Sequence, residues 1–175
     1  MAEVTIDGPL GMIGLRGDHG EPALREAVTA LAGTAFPERL RIEGTAARGV
    51  AWMSPDELLL FVPRGEVGAA LARLSEALAG VHHLATDVSD LRACLRIGGP
   101  GAREVLGKLS PADLHPDAFG PGAFRRSRLG QVAAAFWLEG EGARVLCFRS
   151  VADYTLLLLR QSAADGAVGY FGSSS

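Results

Sequence analysis

Cysteine is scarce: Cys94 and Cys147 are the only two in 175 residues. Two cysteines make no disulfide framework, and both lie in strand-like apolar segments, so they read as buried, reduced thiols. Long apolar runs are also missing. The longest, Val132 to Leu138 and Leu156 to Leu159, fall far short of the ~18 residues that cross a bilayer. The start Met1-Ala2-Glu3 lacks the basic, apolar opening of a signal peptide. A soluble, cytoplasmic chain with no membrane partner is expected. Positive charge is in deficit too: 17 Lys and Arg against 20 Asp and Glu give a net charge of -3, which repels a phosphate backbone and argues against nucleic acid.

Hydrophobic residues are abundant, at 48%, and charged ones make up only 21%. At this length one sizeable core is expected, and the apolar excess predicts a surface that a permanent partner covers. Residues 1–20 are glycine-rich and weakly periodic, and read as an extended N-terminal arm. From Pro22, Leu24, Ala27, Val28 and Leu31 repeat at helical spacing until Gly33 stops the run.

Two later segments have the same order of elements. Val50 to Met53 and Leu58 to Val62 flank a turn at Ser54-Pro55-Asp56-Glu57, and Val67, Leu71, Leu74 and Leu78 then mark one face of a helix. Val132 to Leu138 and Arg144 to Phe148 flank Glu139-Gly140-Glu141-Gly142, followed by a helix over 150–161. Between them, His83 to Ile97 reads as strand, and Ala102, Val105, Leu106 and Leu109 as the buried face of a short helix after Pro100. The fold class expected is α+β, with duplicated strand-hairpin-helix modules and largely antiparallel sheets. Residues 21–165 are expected to form one domain and residues 166–175 a flexible tail.

Candidate chemistry is thin. Gly98-Gly99-Pro100-Gly101 sits between strand and helix, yet a phosphate loop fails there: Ala102 stands where the first glycine belongs, Leu109 follows Gly107-Lys108, and Pro100 has no amide to donate. His19, His82, His83 and His115 have no ligand spacing around them. Ser150 and Asp153 have the spacing of a capping box rather than of a nucleophile and its partner. No catalytic, cofactor-binding or metal residue is therefore assigned. Arg125, Arg126 and Arg128 form a basic cluster in which Arg126 and Arg128 share a strand face, placed to hold an anion or face a partner. Leu156, Leu157, Leu158 and Leu159 wrap around a helix and cannot all face one core. With Phe136 and Trp137 they are the expected subunit interface.

The stretch from Asp87-Val88-Ser89-Asp90-Leu91 through Gly98-Gly99-Pro100-Gly101-Ala102-Arg103-Glu104-Val105-Leu106 to Ala112-Asp113-Leu114-His115-Pro116 carries a further signal. Together with Leu15 to Asp18, Ala51 to Glu57, Phe124 to Gln131 and Phe148 to Tyr154, it resembles the gamma subunits of heterotetrameric sarcosine oxidases, relatives of the folate-binding aminomethyltransferase fold. The resemblance implies a non-catalytic subunit with alpha, beta and delta partners. The complex would oxidise sarcosine to glycine, yielding formaldehyde or 5,10-methylenetetrahydrofolate and hydrogen peroxide. It also implies that FAD, FMN, NAD, tetrahydrofolate and zinc are held by partner subunits and no cofactor by this chain. The alternative is a free-standing folate-binding or aminomethyl-transfer protein, for which Asp87 and Asp90 are the acids available to meet a pterin.

Overall fold

The turn at Pro55 and Asp56 closes a hairpin between β4 (Gly49–Ser54) and β5 (Glu57–Val62). Ser54 Oγ donates to Asp56 Oδ1 at 2.6 Å across it, the local bond that makes Asp a turn former. The computed structural model describes residues 2–164 together with Gly166, Gly169 and Phe171. Two five-stranded sheets, antiparallel throughout, carry the fold. The chain divides into two compact units: residues 8–90, and the residues up to Asp7 joined by those from Leu91 on.

The first unit runs β2 (Gly11–Gly17), α1 (Pro22–Ala32), β3 (Ile42–Gly44), β4, β5, α2 (Val67–Ala77) and β6 (His83–Asp87), in sheet order β3-β4-β5-β2-β6. The second runs β7 (Arg92–Gly98), α3 (Ala102–Gly107), β8 (Phe124–Leu129), β9 (Val132–Glu139), β10 (Gly142–Phe148) and α4 (Ala152–Ala164). It is completed by β1 (Glu3–Ile6) from the start of the chain, in sheet order β8-β9-β10-β7-β1. Element by element the two orders coincide, and a single 3₁₀ turn precedes both α2 and α4. The duplication is complete, except that the closing strand of the second copy is supplied by the N-terminus.

Each unit buries one sheet face under its helices. In the first, Ile13, Leu15, Leu58 and Leu60 meet Leu24, Val28 and Leu74. In the second, Leu95, Ile97, Phe136 and Val145 meet Val105, Leu106 and Leu159. Helix α1 starts at Pro22 and stops at Gly33, whose φ of 68° is the left-handed conformation a C-terminal cap requires.

Four expectations change. Residues 1–20 are not an arm: β2 lies inside its sheet between β5 and β6, and β1 pairs with β7. Residues 21–165 are not one domain, because the chain leaves one unit for the other between Asp90 and Leu91. His83 to Ile97 is consequently two strands. Asp87 Oδ1 accepts from the Ser89 amide at 2.9 Å, breaking the ladder, and Ser89 Oγ accepts from the Met12 amide at 2.9 Å. The capping box does not form, since the 3₁₀ turn at Arg149–Val151 moves the helix start to Ala152. The tail, residues 166–175, lies largely outside the described residues. Of those described, Phe171 packs on the core, its amide donating to Glu104 Oε1 at 3.1 Å.

Candidate functional site

The four-leucine helix resolves into distinct positions. Leu159 is fully buried, and Leu156 packs against the core. Leu158 is half-buried and lies over Gly130, where an added Cβ would sit 3.5 Å from its Cδ2. Leu157 points away, 65% exposed, and Tyr154 three residues earlier is 54% exposed. Residues three apart on a helix are neighbours, so the two form one apolar step on the outer face of α4. Phe136 and Trp137 do not join it. Phe136 faces the core under the helices, and Trp137 is buried with its Nε1 donating to Glu139 Oε2 at 3.1 Å. Successive strand residues point to opposite faces, so these two could never have formed one patch.

Arg126 and Arg128 share a face of β8, opposite Ala135 and Ala133, and both are exposed. Arg125 turns the other way, where its Nη2 donates to the Ala118 carbonyl at 2.7 Å. Strand β8 is a sheet edge, so the pair lies at the border of its sheet.

The thiols are structural. Cys147 faces the core under the helices, whereas Cys94 pairs with Leu146 and points to the other face. Adjacent strands therefore hold the sulfurs on opposite sides of one sheet. Burial pushes both thiols up from their ordinary value, keeping them protonated and unreactive.

The histidines are dispersed, and among the described residues no group of three or more His, Cys, Asp or Glu is placed to hold a metal. No described helix is long and apolar enough to cross a membrane. His82 and His83 line a cleft of about 640 Å³ with Arg16, Asp18, Asp56 and Leu84. Arg16 bridges Asp56 at 3.3 Å and Glu57 at 3.2 Å. His19 stands edge-on to Phe36 at 5.6 Å, and its Nε2 is shut from solvent with no hydrogen-bond partner among the described residues. Burial pulls its pKa below the ordinary 6.5, against the opposing carboxylates of Asp56 and Asp18.

That depression has a measurable sign. The unfolded chain takes up a proton at His19 before the folded chain does, so this residue costs stability as pH falls below 6.5. His19→Gln is expected to flatten the decline: the gap between wild-type and variant urea midpoints should move in the variant's favour from pH 7 to pH 5. A gap that does not change with pH rejects the buried, neutral imidazole.

Asp87 and Asp90 are both engaged. Asp87 also accepts from Ser89 Oγ, which holds its carboxyl below the usual range, and Asp90 takes a two-pronged bond from Arg64 Nη2 at 3.0 Å.

The model of the sarcosine oxidase gamma subunit family matches residues 16–165. A sarcosine oxidase subunit gamma from Corynebacterium sp. strain P-1 is 34% identical over 143 residues, 81% of this chain and 68% of that protein. Among solved structures, heterotetrameric sarcosine oxidase from Corynebacterium sp. U-96, in complex with pyrrole 2-carboxylate, contains a chain that superposes with a TM-score of 0.84 at 28% identity. The match covers 99% of this chain and 87% of that one. The glycine cleavage system aminomethyltransferase T from Bartonella henselae shares the fold at a TM-score of 0.64 and 16% identity, over 90% of this chain and 45% of that one. On these matches, and on a duplicated fold shared with them, the chain belongs to the sarcosine oxidase gamma subunit family.

Proposed function

We propose that this chain is the non-catalytic gamma subunit of an oxidase that demethylates sarcosine to glycine. The methyl carbon leaves as formaldehyde or as 5,10-methylenetetrahydrofolate, and dioxygen is reduced to hydrogen peroxide. The alpha, beta and delta partners hold FAD, FMN, NAD, tetrahydrofolate and zinc; this chain supplies shape and surface. The observation that carries the reading is the near-complete superposition on a chain of a heterotetrameric sarcosine oxidase. The reading as a free-standing folate protein is disfavoured by the engagement of Asp87 and Asp90 within the fold. A tagged chain co-expressed with its oxidase partners should copurify with them and with sarcosine-dependent peroxide production. The chain alone should produce none and should show no folate binding on titration. Peroxide production by the isolated chain, or partners that never copurify, overturns the proposal.

The outer face of α4 supplies one contact of that assembly, through Leu157 and Tyr154, and Arg126 with Arg128 supplies a second, toward an anionic group of a partner. Leu157→Gln should leave the melting temperature of the isolated chain within about 2 °C, because it removes an exposed side chain. Partner recovery should fall. Leu159→Gln, at a fully buried position, should instead unfold the chain. Equal recovery for Leu157→Gln and wild type would place the contact elsewhere.

A further inference from the structure

Four strand edges end the two sheets: β3 and β6 in the first unit, β1 and β8 in the second. Open edges invite pairing, and proteins blunt them with charge, brevity, bulges or cover. Three of the four are blunted. Strand β3 is three residues long and ends at Gly44 with φ 85°. Strand β8 carries exposed Arg126 and Arg128. Strand β1 is covered from α4, where Arg160 Nε donates to the Val4 carbonyl at 3.1 Å. This carbonyl faces outward, since the Asp7 amide bonds Cys94 and bonded pairs alternate along the strand.

Strand β6, the counterpart of β1, is the least guarded: it carries one charge, Asp87, at its end, and among the described residues no side chain is recorded bonding its outer edge. It is a regular five-residue ladder without bulge, proline, lysine or arginine. The Val88 amide bonds the Met12 carbonyl at 2.9 Å, so by alternation Thr86 and Leu84 bond β2 while His83, Ala85 and Asp87 turn their amides and carbonyls outward. Leu84 is 58% exposed. At this end of β6 opens the cleft containing Arg16, Asp18 and Asp56. Counting Glu57, which Arg16 also bridges, three carboxylates there face one guanidinium.

We infer that the outer edge of β6 receives an extended segment of an oxidase partner chain, which adds a strand to this sheet and sets a lysine or arginine against Asp18 and Asp56. This rests on the subunit reading above. Backbone bonds along Ala85 supply the attachment, and the acidic cleft selects the side chain, the division of labour of strand addition generally. A basic residue fits because the cleft holds excess negative charge; an apolar one would leave that charge uncompensated.

The test uses the full chain co-expressed with its oxidase partners. Ala85→Pro removes an amide that faces away from the β2 ladder, a position where proline is tolerated on an edge. It should lower partner recovery at least about tenfold, with the melting temperature of the isolated chain kept within about 2 °C. Asp18→Asn with Asp56→Asn should also lower recovery and weaken its dependence on salt. Full recovery with both variants overturns the inference while leaving the subunit reading intact; a wild-type chain that recovers no partner overturns both. If Ala85→Pro fails to fold, the carboxylate variant and Leu84→Lys decide, and unchanged recovery with these two is a refutation. Dimerisation of the isolated chain that Ala85→Pro abolishes without loss of partners assigns the edge to a second copy, and also refutes it.

Discussion

Replacing Arg144 with methionine is expected to lower the unfolding free energy by about 3 kcal/mol, the scale of a buried ion pair that loses one partner. Arg144 is 18% exposed and holds two carboxylates. Its Nε donates to Glu139 Oε1 at 2.9 Å, and its Nη1 bonds Asp7 Oδ2. Those carboxylates are 18% and 19% exposed, so removing the guanidinium takes away the positive charge that holds two shielded like charges together. Trp137 is drawn in through Glu139, and the Asp7 amide bonds the Cys94 carbonyl at 2.9 Å. The network therefore pins the end of β1, the one strand of its unit that comes from outside the contiguous chain segment.

The loss is expected to be local in character. Amide exchange at Thr5 and Asp7 should accelerate more than exchange at Leu95 or Val145, because β1 loses its anchor while β7 and β10 keep their other partners. Neutralising the carboxylates as well, with Asp7→Asn and Glu139→Gln added to Arg144→Met, should recover much of the stability, since the cost lies in the orphaned charges. Urea unfolding of the three proteins decides. A single variant within about 1 kcal/mol of wild type would mean that solvent already screens the cluster.

This network was not legible in the sequence. Asp7 and Arg144 stand 137 positions apart, and no periodicity links them. What was legible is local: α1 between Pro22 and Gly33, the hairpin at Pro55, and the repeated strand-turn-strand-helix order all follow from residue spacing. The boundary at Asp90 escaped because Leu84, Val88, Leu91, Cys94 and Leu95 run on as one apolar series. The break lies in the polar residues between, where the Asp87 carboxylate captures the Ser89 amide. The interface expectation divided along the same line. Helical geometry requires some of four consecutive leucines to face outward, but which one does so depends on how α4 lies on its sheet. That is a tertiary property, and it selects Leu157. Phe136 and Trp137 look alike in an apolar run; strand alternation alone puts them on opposite faces, and packing settles that Phe136 is the one under the helices.

The misreading of residues 1–20 leads to the second large effect. Gly11→Ala is expected to destabilise the chain by about 1–3 kcal/mol, the range for overpacking a core, whereas Gly8→Ala should be neutral or stabilise it by a few tenths. Both glycines lie in the segment whose glycine content suggested an arm. A Cβ on Gly11 would stand 2.5 Å from the Val62 carbonyl oxygen, 2.7 Å from Val67 Cγ2 and 3.1 Å from the Pro63 carbonyl oxygen; one on Gly8 would meet nothing within 4 Å. Two of the three Gly11 contacts are backbone and cannot swing aside. Gly11 shares a strand face with Ile13 and Leu15, so its missing side chain is what lets β5 and the start of α2 close over β2. Glycine there marks close packing, where composition alone suggested looseness. Melting temperatures of the two variants, measured side by side, separate the readings. If both substitutions are neutral, residues 8–17 are held loosely and the arm is restored; if Gly11→Ala alone falls, β2 is the interior strand on which the first sheet is built.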